Sequence, residues 1–303
     1  MQQFTVRVKP KEARVDKYLA RVSKSLSRSQ AKKLIKKNLV WVNERKIDPD
    51  YEIRKGDKIK FEIPLPTPSE IIPQNIPLDV VYEDEDVLVI DKEAGMVVHP
   101  TVGHPKDTLV NALLFYLKNS LGESEKSFRP GIVHRLDKGT SGLMVLAKNE
   151  VALANLKKQF KDRKVGKKYL ALVAGKVEPS IGIIKKPIGR HPVKRQKFTV
   201  AQQGREALTT YKVLENIGNK FSLVEVEPKT GRTHQIRVHL SSIGYPIVGD
   251  KLYGGKPAPR IFLHAAFLEF SHPKHKKKLK FESELPIKLK EMLDKTQFGK
   301  IKK

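Results

Sequence analysis

The stretch HRLDKGTSGLMVLA, residues 134–147, joins a polar cluster directly to an uninterrupted apolar run. A short apolar run that follows a glycine is typical of a strand buried on both faces. The polar cluster contains one acid, Asp137, together with two glycines and a Thr-Ser pair. Glycine permits a sharp turn, and nearby hydroxyl and N–H groups can bond a carboxylate. We predict a loop that holds Asp137 in front of a central strand, where it either reacts or organises the turn.

Strands and helices are predicted to alternate on both sides of this stretch. Short apolar and β-branched runs predict strands at 80–82, 87–90, 143–147, 168–173 and 221–226. Asp107 and Asn149 are expected to cap two helices, and Gly244 is expected to end a third that starts near Thr233. The pattern indicates an α+β domain of enzyme size.

A linker and two domains are predicted from the distribution of proline and charge. Five prolines in residues 64–77 block regular helix and central strand and stiffen the chain. We therefore expect a small domain at 1–63, a linker at 64–77 and a large domain at 78–303. The large domain ends in a Lys-rich tail, because residues 271–303 carry eleven Lys against four acids.

The small domain is disproportionately basic, with 18 Lys+Arg against 8 Asp+Glu in residues 1–63. Two basic helices are predicted in it, one at 14–23 and one that starts at Ser27 or Ser29 and runs through Lys37. They precede predicted strands at 40–43 and 58–63.

Charge and composition favour a nucleic-acid partner over a redox or membrane function. The chain has 60 Lys+Arg against 33 Asp+Glu, a net charge of +27, which attracts a polyanion, although a Lys-rich surface also serves solubility. With no cysteine, disulfides, thiolate catalysis and Cys-type metal sites are excluded. No H-E-x-x-H pattern, signal core or membrane span is recognised, so we expect a cytoplasmic protein without metal, cofactor or membrane contact.

A second cluster, KTGRTHQIRVH at 229–239, is predicted to open a helix. A guanidinium beside a carboxylate keeps the acid ionised and fixed, so Arg232 is a candidate partner of Asp137. Alternatively, Arg232 and Arg237 bind phosphate at the helix N-terminus.

These motifs resemble those of the RluA/RluD family of pseudouridine synthases. The likeness rests on HRLDKGTSG and continues in family order over about 190 residues, through IPLDVVYEDED at 76–86, VVHP at 97–100, KKYLALV at 167–173, GRTHQIRVH at 231–239 and the segment 244–254. Residues 14–57 are similar to the small RNA-binding domain of ribosomal protein S-four, with R-x-D-x-x-L, S-R-S-Q-A, V-x-V-N and K-x-G-D in order.

The resemblance implies an RNA pseudouridine synthase. Its large domain is expected to be a mixed, mainly antiparallel β-sheet with flanking helices, joined to a small α+β RNA-binding domain. Asp137 is expected to be the catalytic carboxylate, Tyr169 to stack on the base and accept a proton, and Arg232 to pair with Asp137. Arg135 is expected to help extrude the uridine. Further RNA contacts are expected from His134, Arg237, Arg28, Lys32 and Lys33.

The expected substrate is structured RNA, in the first place large-subunit ribosomal RNA or ribosomal subunits, bound by a monomer. The basic segment His191–Lys197 resembles a substrate-contacting loop of the family, but it also fits a solvated surface loop. Asp137 can act covalently or by promoting loss of a ribose proton. The competing hypotheses are a non-catalytic ribosome-assembly factor and a general polyanion-binding protein.

Overall fold

The computed structural model describes residues 2–6, 14–23, 28–62, 71–100, 105–121, 131–194 and 196–298. The chain divides into two compact units, Met1–Glu70 and Ile71–Lys303. The division falls inside the Pro-rich segment 64–77. Residues 64–70 of this segment lie outside the described residues, and so does the predicted helix cap Ser27. Among the helices of the described ranges, none has both the length and the apolar character that crossing a bilayer requires.

The N-terminal unit packs two short helices against a small antiparallel sheet. Its elements are β1 (Gln2–Thr5), α1 (Val15–Val22), α2 (Arg28–Lys36), β2 (Val40–Val42), β3 (Arg45–Lys46) and β4 (Lys58–Phe61). The strands lie in the order β1-β4-β2-β3. Leu19, Ile35, Ile59 and Phe61 are at most 2% exposed and form its core. The two predicted helices and the two predicted strands are confirmed. They form because the apolar residues of each element recur on one face.

The C-terminal unit is built on one large mixed sheet. Its strands are β5 (Asp79–Glu83), β6 (Val87–Lys92), β7 (Gly131–Ile132), β8 (Ser141–Ala147), β9 (Gly166–Ala174), β10 (Ile181–Lys185), β13 (Leu208–Ile217), β14 (Phe221–Pro228), β15 (Leu263–Ser271) and β16 (Lys278–Glu282). The main order is β10-β13-β14-β9-β15-β8-β6-β5, with β7 beside β8 and β16 beside β15. Strands β11 (Ile188–Arg190) and β12 (Phe198–Val200) form a separate hairpin.

All neighbouring strands of the large sheet are antiparallel except β8 and β15, which run parallel. The predicted mixed, mainly antiparallel sheet is therefore confirmed. The parallel pair is close because Gly142 has no side chain. A Cβ atom at Gly142 would lie 2.4 Å from the carbonyl oxygen of Ala265.

Helices cover both faces of the central strands. The helices are α3 (Leu109–Leu121), α4 (Glu150–Lys161), α5 (Gln235–Ser242) and α6 (Ile287–Phe298). In β8, Met144 and Leu146 share a core with α3, α5 and α6, whereas Leu143 and Val145 share one with α4. All seven residues of β8 are buried, which explains its uninterrupted apolar run.

Helix caps and the C-terminal segment show where local prediction succeeded and failed. The Asn149 side chain accepts the N–H of Ala152 at 2.8 Å, as predicted. The cap assigned to Asp107 is wrong: Thr108 Oγ1 accepts the N–H of Asn111 at 3.4 Å, while Asp107 accepts a hydrogen bond from Gln74. The Lys-rich segment 271–303 contains regular structure among its residues up to 298, because β16 and α6 lie in it and Leu289 is fully buried.

Candidate active site

The loop that joins β7 to β8 holds Asp137 as the sequence predicts. Inside it, the N–H of Thr140 donates to the Asp137 carbonyl at 3.0 Å and closes a tight turn. Arg260 fixes the far end of the loop, since its Nη2 donates to Ser141 Oγ at 2.8 Å. The Asp137 side chain remains 20% exposed. A rigid strand and a braced turn thus present a partly accessible carboxylate.

The partner of Asp137 is Arg237, on the first turn of α5. Arg237 Nη1 donates to Asp137 Oδ2 at 3.0 Å. The prediction that Arg232 makes this pair is wrong, because Arg232 lies in the loop before α5 and its Nε donates to the carbonyl of Glu206 at 3.0 Å. Carboxylates accept from all three guanidinium nitrogens of Arg237, and its assignment to RNA binding stays a prediction.

Asp250 completes the environment of Arg237. Both of its oxygens accept from the guanidinium, Oδ2 from Nε at 2.7 Å and Oδ1 from Nη2 at 2.9 Å. The Asp250 side chain is 1% exposed. Burial alone would lower the pKa of Arg237, but the hydrogen bonds and charge of Asp250 and Asp137 outweigh it and raise that pKa. Arg237 is therefore a permanent cation whose plane is fixed by a bidentate contact.

Tyr169, on β9, lies in the wall of the same cleft and is 9% exposed. Burial raises the pKa of its hydroxyl, and the nearby charge of Asp137 raises it further. The hydroxyl is therefore protonated at neutral pH. A protonated hydroxyl can accept another proton only if it donates its own proton to a further group. Tyr169 is therefore better suited to relay a proton than to act as a free base.

His134 and Arg135 have different environments although they are adjacent. His134 Nε2 accepts the N–H of Val145 at 3.1 Å, and its ring stacks on Phe160 at 4.7 Å. Burial lowers the pKa of His134 to about 3, and the charge of Lys167 adds to this effect. Nε2 of His134 is engaged with β8, and the role of His134 as an RNA contact stays a prediction. Arg135 is exposed at the cleft wall, as a residue that touches RNA must be.

A cleft of about 710 Å³ surrounds Asp137. Asp137 is the single acid in its lining, against seven cations: Arg135, Lys161, Arg163, Lys167, Lys229, Arg232 and Arg237. Three of them, Arg135, Lys161 and Arg163, are exposed and form no ion pair with any residue in the described ranges. The cleft is therefore electropositive and suited to a polyanion that brings a reacting group to one carboxylate.

The basic residues predicted in the N-terminal unit are partly engaged in that unit. Arg28 Nε donates to Asp16 Oδ2 at 3.0 Å, although the Arg28 side chain remains 57% exposed. Lys32 and Lys33 lie exposed on α2. Asp16 is buried between Arg14 and Arg28, so this carboxylate stabilises the unit and orients two cations.

One further cluster has the composition of a metal site. Ligand atoms of Asp84, Asp86 and His272 lie within 4.8 Å of one another. His272 Nδ1 accepts the N–H groups of Lys274 and His275, so its proton lies on Nε2, which donates to Asp84 Oδ2 at 2.9 Å. Both ring nitrogens are therefore engaged, and we interpret the cluster as a structural bridge between β15 and the turn after β5.

Three site residues were not assigned a role from the sequence. Asp250 and Tyr253 lie in the segment 244–254, which carries only the family likeness, and His234 is one of two histidines in the second cluster. The structure brings all three around Arg237 and Asp137. A buried acid thirteen residues after an arginine carries no periodic signal, so only the fold could bring them together.

Comparison with known proteins identifies the family of both units. The family model described as RNA pseudouridylate synthase matches residues 86–242, and the S-four domain model matches residues 13–59. A protein of Aquifex aeolicus named uncharacterized RNA pseudouridine synthase is 45% identical, and the match covers 92% of each chain. The ribosomal large subunit pseudouridine synthase D of Zymomonas mobilis is 43% identical over 90% of each chain.

A solved structure shows the same fold. The structure of human RNA pseudouridylate synthase domain containing 4 superposes with a TM-score of 0.60 at 27% identity, over 72% of this chain and 93% of that one. The family model includes both the Asp137 loop and α5. With a family model that spans half of its length and relatives above 40% identity over nine tenths of it, the chain belongs to the RNA pseudouridylate synthase family.

Proposed function

We propose that this pseudouridine synthase modifies specific uridines of large-subunit ribosomal RNA in the cytoplasm, that it flips the target out of its stack, and that Asp137 is the reacting carboxylate. The observation that carries the proposal is the pairing of Asp137 with Arg237 at the floor of an electropositive cleft. Relatives named ribosomal large subunit pseudouridine synthase D support the choice of RNA.

The reaction is an isomerisation that needs no redox partner. The N1–C1′ bond of uridine breaks, the uracil rotates, and C5 bonds to C1′. The hydrogen on C5 leaves as a proton and N1 gains one, so atoms and electrons balance. An ionised carboxylate can attack C1′ or promote loss of a ribose proton, and both routes use a carboxylate that Arg237 holds in place by its hydrogen bond to Oδ2.

Base flipping brings the uridine to Asp137, which a stacked nucleotide cannot reach. Arg135 is exposed beside the cleft and can brace the gap left by the base. Tyr169 presents an aromatic ring for stacking and a protonated hydroxyl for relaying the C5 proton. Its buried position fixes the ring before the base arrives.

Release of tritium tests the proposal. The full chain is incubated with ribosomal RNA that carries tritium at uridine C5, as naked RNA and in ribosomal subunits, with transfer RNA as the comparison. Joining C5 to the sugar must expel this hydrogen, so we expect release from large-subunit RNA. Release from transfer RNA alone would contradict the proposed substrate. Tight binding to both ribosomal substrates without release would favour the assembly-factor hypothesis.

Tyr169→Phe is expected to bind RNA with unchanged affinity but to turn over about 10²-fold more slowly, because it keeps the ring and loses the relay hydroxyl. The measurement is single-turnover tritium release together with a binding titration. Tyr245→Phe, a half-buried tyrosine outside the cleft, is the matched control. Near-normal turnover of Tyr169→Phe would rule out its hydroxyl as an essential proton acceptor.

Lys161→Gln combined with Arg163→Gln is expected to weaken RNA binding about tenfold at moderate salt. Each phosphate that the protein no longer neutralises keeps its condensed counterions, so less entropy is gained on binding. The slope of log affinity against log salt should become shallower by roughly 0.7 per lost contact. The control, Lys220→Gln with Lys277→Gln, removes two exposed lysines outside the cleft. An equal loss in both double variants would show a general charge effect and no contact by α4.

A further inference from the structure

The two carboxylate oxygens of Asp137 have different surroundings. Arg237 Nη1 donates to Oδ2 at 3.0 Å, and His234 Nε2 faces the same Oδ2 at 3.8 Å. Within the described part of the chain, no group donates to Oδ1. One oxygen is therefore held by Arg237 and faced by His234, and the other is left for a substrate.

His234 is held in place by aromatic neighbours. It adopts a left-handed backbone conformation, with φ of 57°, immediately before α5. Its Nδ1 lies 2.9 Å from the Tyr253 hydroxyl, and its ring packs edge-on against Tyr253 and Phe198, with centroid distances of 5.7 and 5.6 Å. Its side chain is 17% exposed. The imidazole therefore has little freedom except along the direction of Asp137.

The hydrogen bonds around Tyr253 favour one histidine tautomer. The N–H of Phe198 donates to the Tyr253 oxygen at 2.9 Å, which leaves the phenol hydrogen free to be donated to His234 Nδ1, 2.9 Å away. A neutral imidazole that accepts at Nδ1 carries its hydrogen on Nε2, which is the nitrogen that faces the Asp137 carboxylate. Burial lowers the pKa of His234 more than the charge of Asp137 raises it, which keeps the ring neutral at pH 7.

We propose that His234 is a positioning residue that anchors Oδ2 of Asp137 together with Arg237, that Tyr253 fixes the tautomer this requires, and that Oδ1 is the oxygen that reacts. The inference rests on the proposed role of Asp137. A separation of 3.8 Å is too long for a hydrogen bond, but contacts in a free enzyme commonly tighten when substrate closes the site.

The β11–β12 hairpin completes this chain of contacts. Phe198 supplies the N–H to Tyr253, and Lys197 Nζ lies 5.3 Å from the centroid of the Tyr253 ring. Arg237 lies over the same ring, at 5.0 Å. Tyr253 therefore links the hairpin to both His234 and Arg237.

The kinetic test compares His234→Asn, Tyr253→Phe and the double variant by tritium release. Asparagine tolerates the left-handed backbone but is too short to reach Asp137. We expect kcat to fall about 10²-fold in His234→Asn, because a small misplacement of a reacting group has this effect, with KM and RNA affinity within twofold. Tyr253→Phe should lose about tenfold, and the double variant should be no slower than His234→Asn, since both act through one contact.

His275→Asn, a change in an exposed histidine of the turn before β16, is the control and should keep full activity. A kcat of His234→Asn within twofold of wild type would overturn the proposal. Losses that multiply in the double variant would also overturn it, because they would separate Tyr253 from His234.

Nitrogen NMR of the full chain with ¹⁵N-labelled histidine tests the tautomer without any need for turnover. We expect His234 to carry its hydrogen on Nε2 in wild type and to show a mixed tautomer in Tyr253→Phe. A hydrogen on Nδ1 in wild type overturns the proposal whether or not tritium is released. If wild type releases no tritium, the proposed function fails, and the NMR result still decides the arrangement of His234.

Discussion

Asp137→Asn is expected to reduce tritium release from uridine C5 by at least about 10⁴-fold, the scale of loss seen when a reacting side chain is removed. Asparagine has the same shape, so the turn closed by the N–H of Thr140 should persist. The amide has no negative charge with which to attack C1′ or promote loss of a ribose proton. Arg237 keeps its bidentate contact with Asp250, so no buried cation is left without a partner.

Stability and binding distinguish this loss from unfolding. Asp137 is 20% exposed, and we expect the free energy of unfolding of Asp137→Asn to change by less than about 1 kcal/mol, with RNA affinity within about twofold. Single-turnover assays, thermal unfolding and a binding titration give the three quantities. Asp79→Asn, an exposed aspartate at the start of β5, is the matched control. Turnover of Asp137→Asn within tenfold of wild type would remove the carboxylate from the chemistry.

Features with a local physical cause could be predicted from the sequence. The apolar run of β8 predicts a strand that is covered on both faces, and Asn149 directly before α4 predicts a helix cap. The Asp137 loop follows from the same logic, since glycine and hydroxyl residues directly precede that strand. In each case the residues that determine the structure lie within a few positions of one another.

The alternation of charged and apolar residues identifies β16, whereas the total charge of the segment does not. In KLKFE, Leu279 and Phe281 pack against the core that includes α4, while the lysines between them face solvent. Counting lysines over residues 271–303 concealed this period of two, which is the stronger signal for a strand. The number of charges thus described the surface of the segment and not its fold.

Contacts between distant segments could not be predicted in this way. Arg232 and Arg237 lie five residues apart, and the choice between them depends on where α5 begins. The helix begins at Gln235, after His234 in a left-handed conformation, so Arg237 faces Asp137 and Arg232 turns toward Glu206. A helix that began at Thr233, as predicted, would have placed Arg232 at its N-terminus.

Arg237→Gln is expected to have the second largest effect and to damage both stability and turnover. It leaves Asp250, 1% exposed, without its bidentate partner, and breaking a buried ion pair in this way costs about 3–5 kcal/mol. Turnover should fall about 10³-fold, because Asp137 loses the donor at 3.0 Å that holds Oδ2. Thermal unfolding and single-turnover tritium release at a temperature where the variant remains folded measure the two effects.

Arg232→Gln is the matched control, because it removes the same charge from the same cleft. Its Nε contacts only a backbone carbonyl among the described residues, so the free energy of unfolding should change by about 1 kcal/mol or less and turnover by less than tenfold.

Arg237→Lys separates charge from shape: a lysine keeps the cation but cannot bond both oxygens of Asp250 while reaching Asp137. If Arg232→Gln were the more damaging change, Arg232 would carry the ion pair during catalysis, and the contact of Arg237 with Asp137 would serve folding alone. The fixed plane that Asp250 imposes on Arg237 argues for the opposite result, since a donor held in place before substrate arrives needs no reorganisation when charge moves on Asp137.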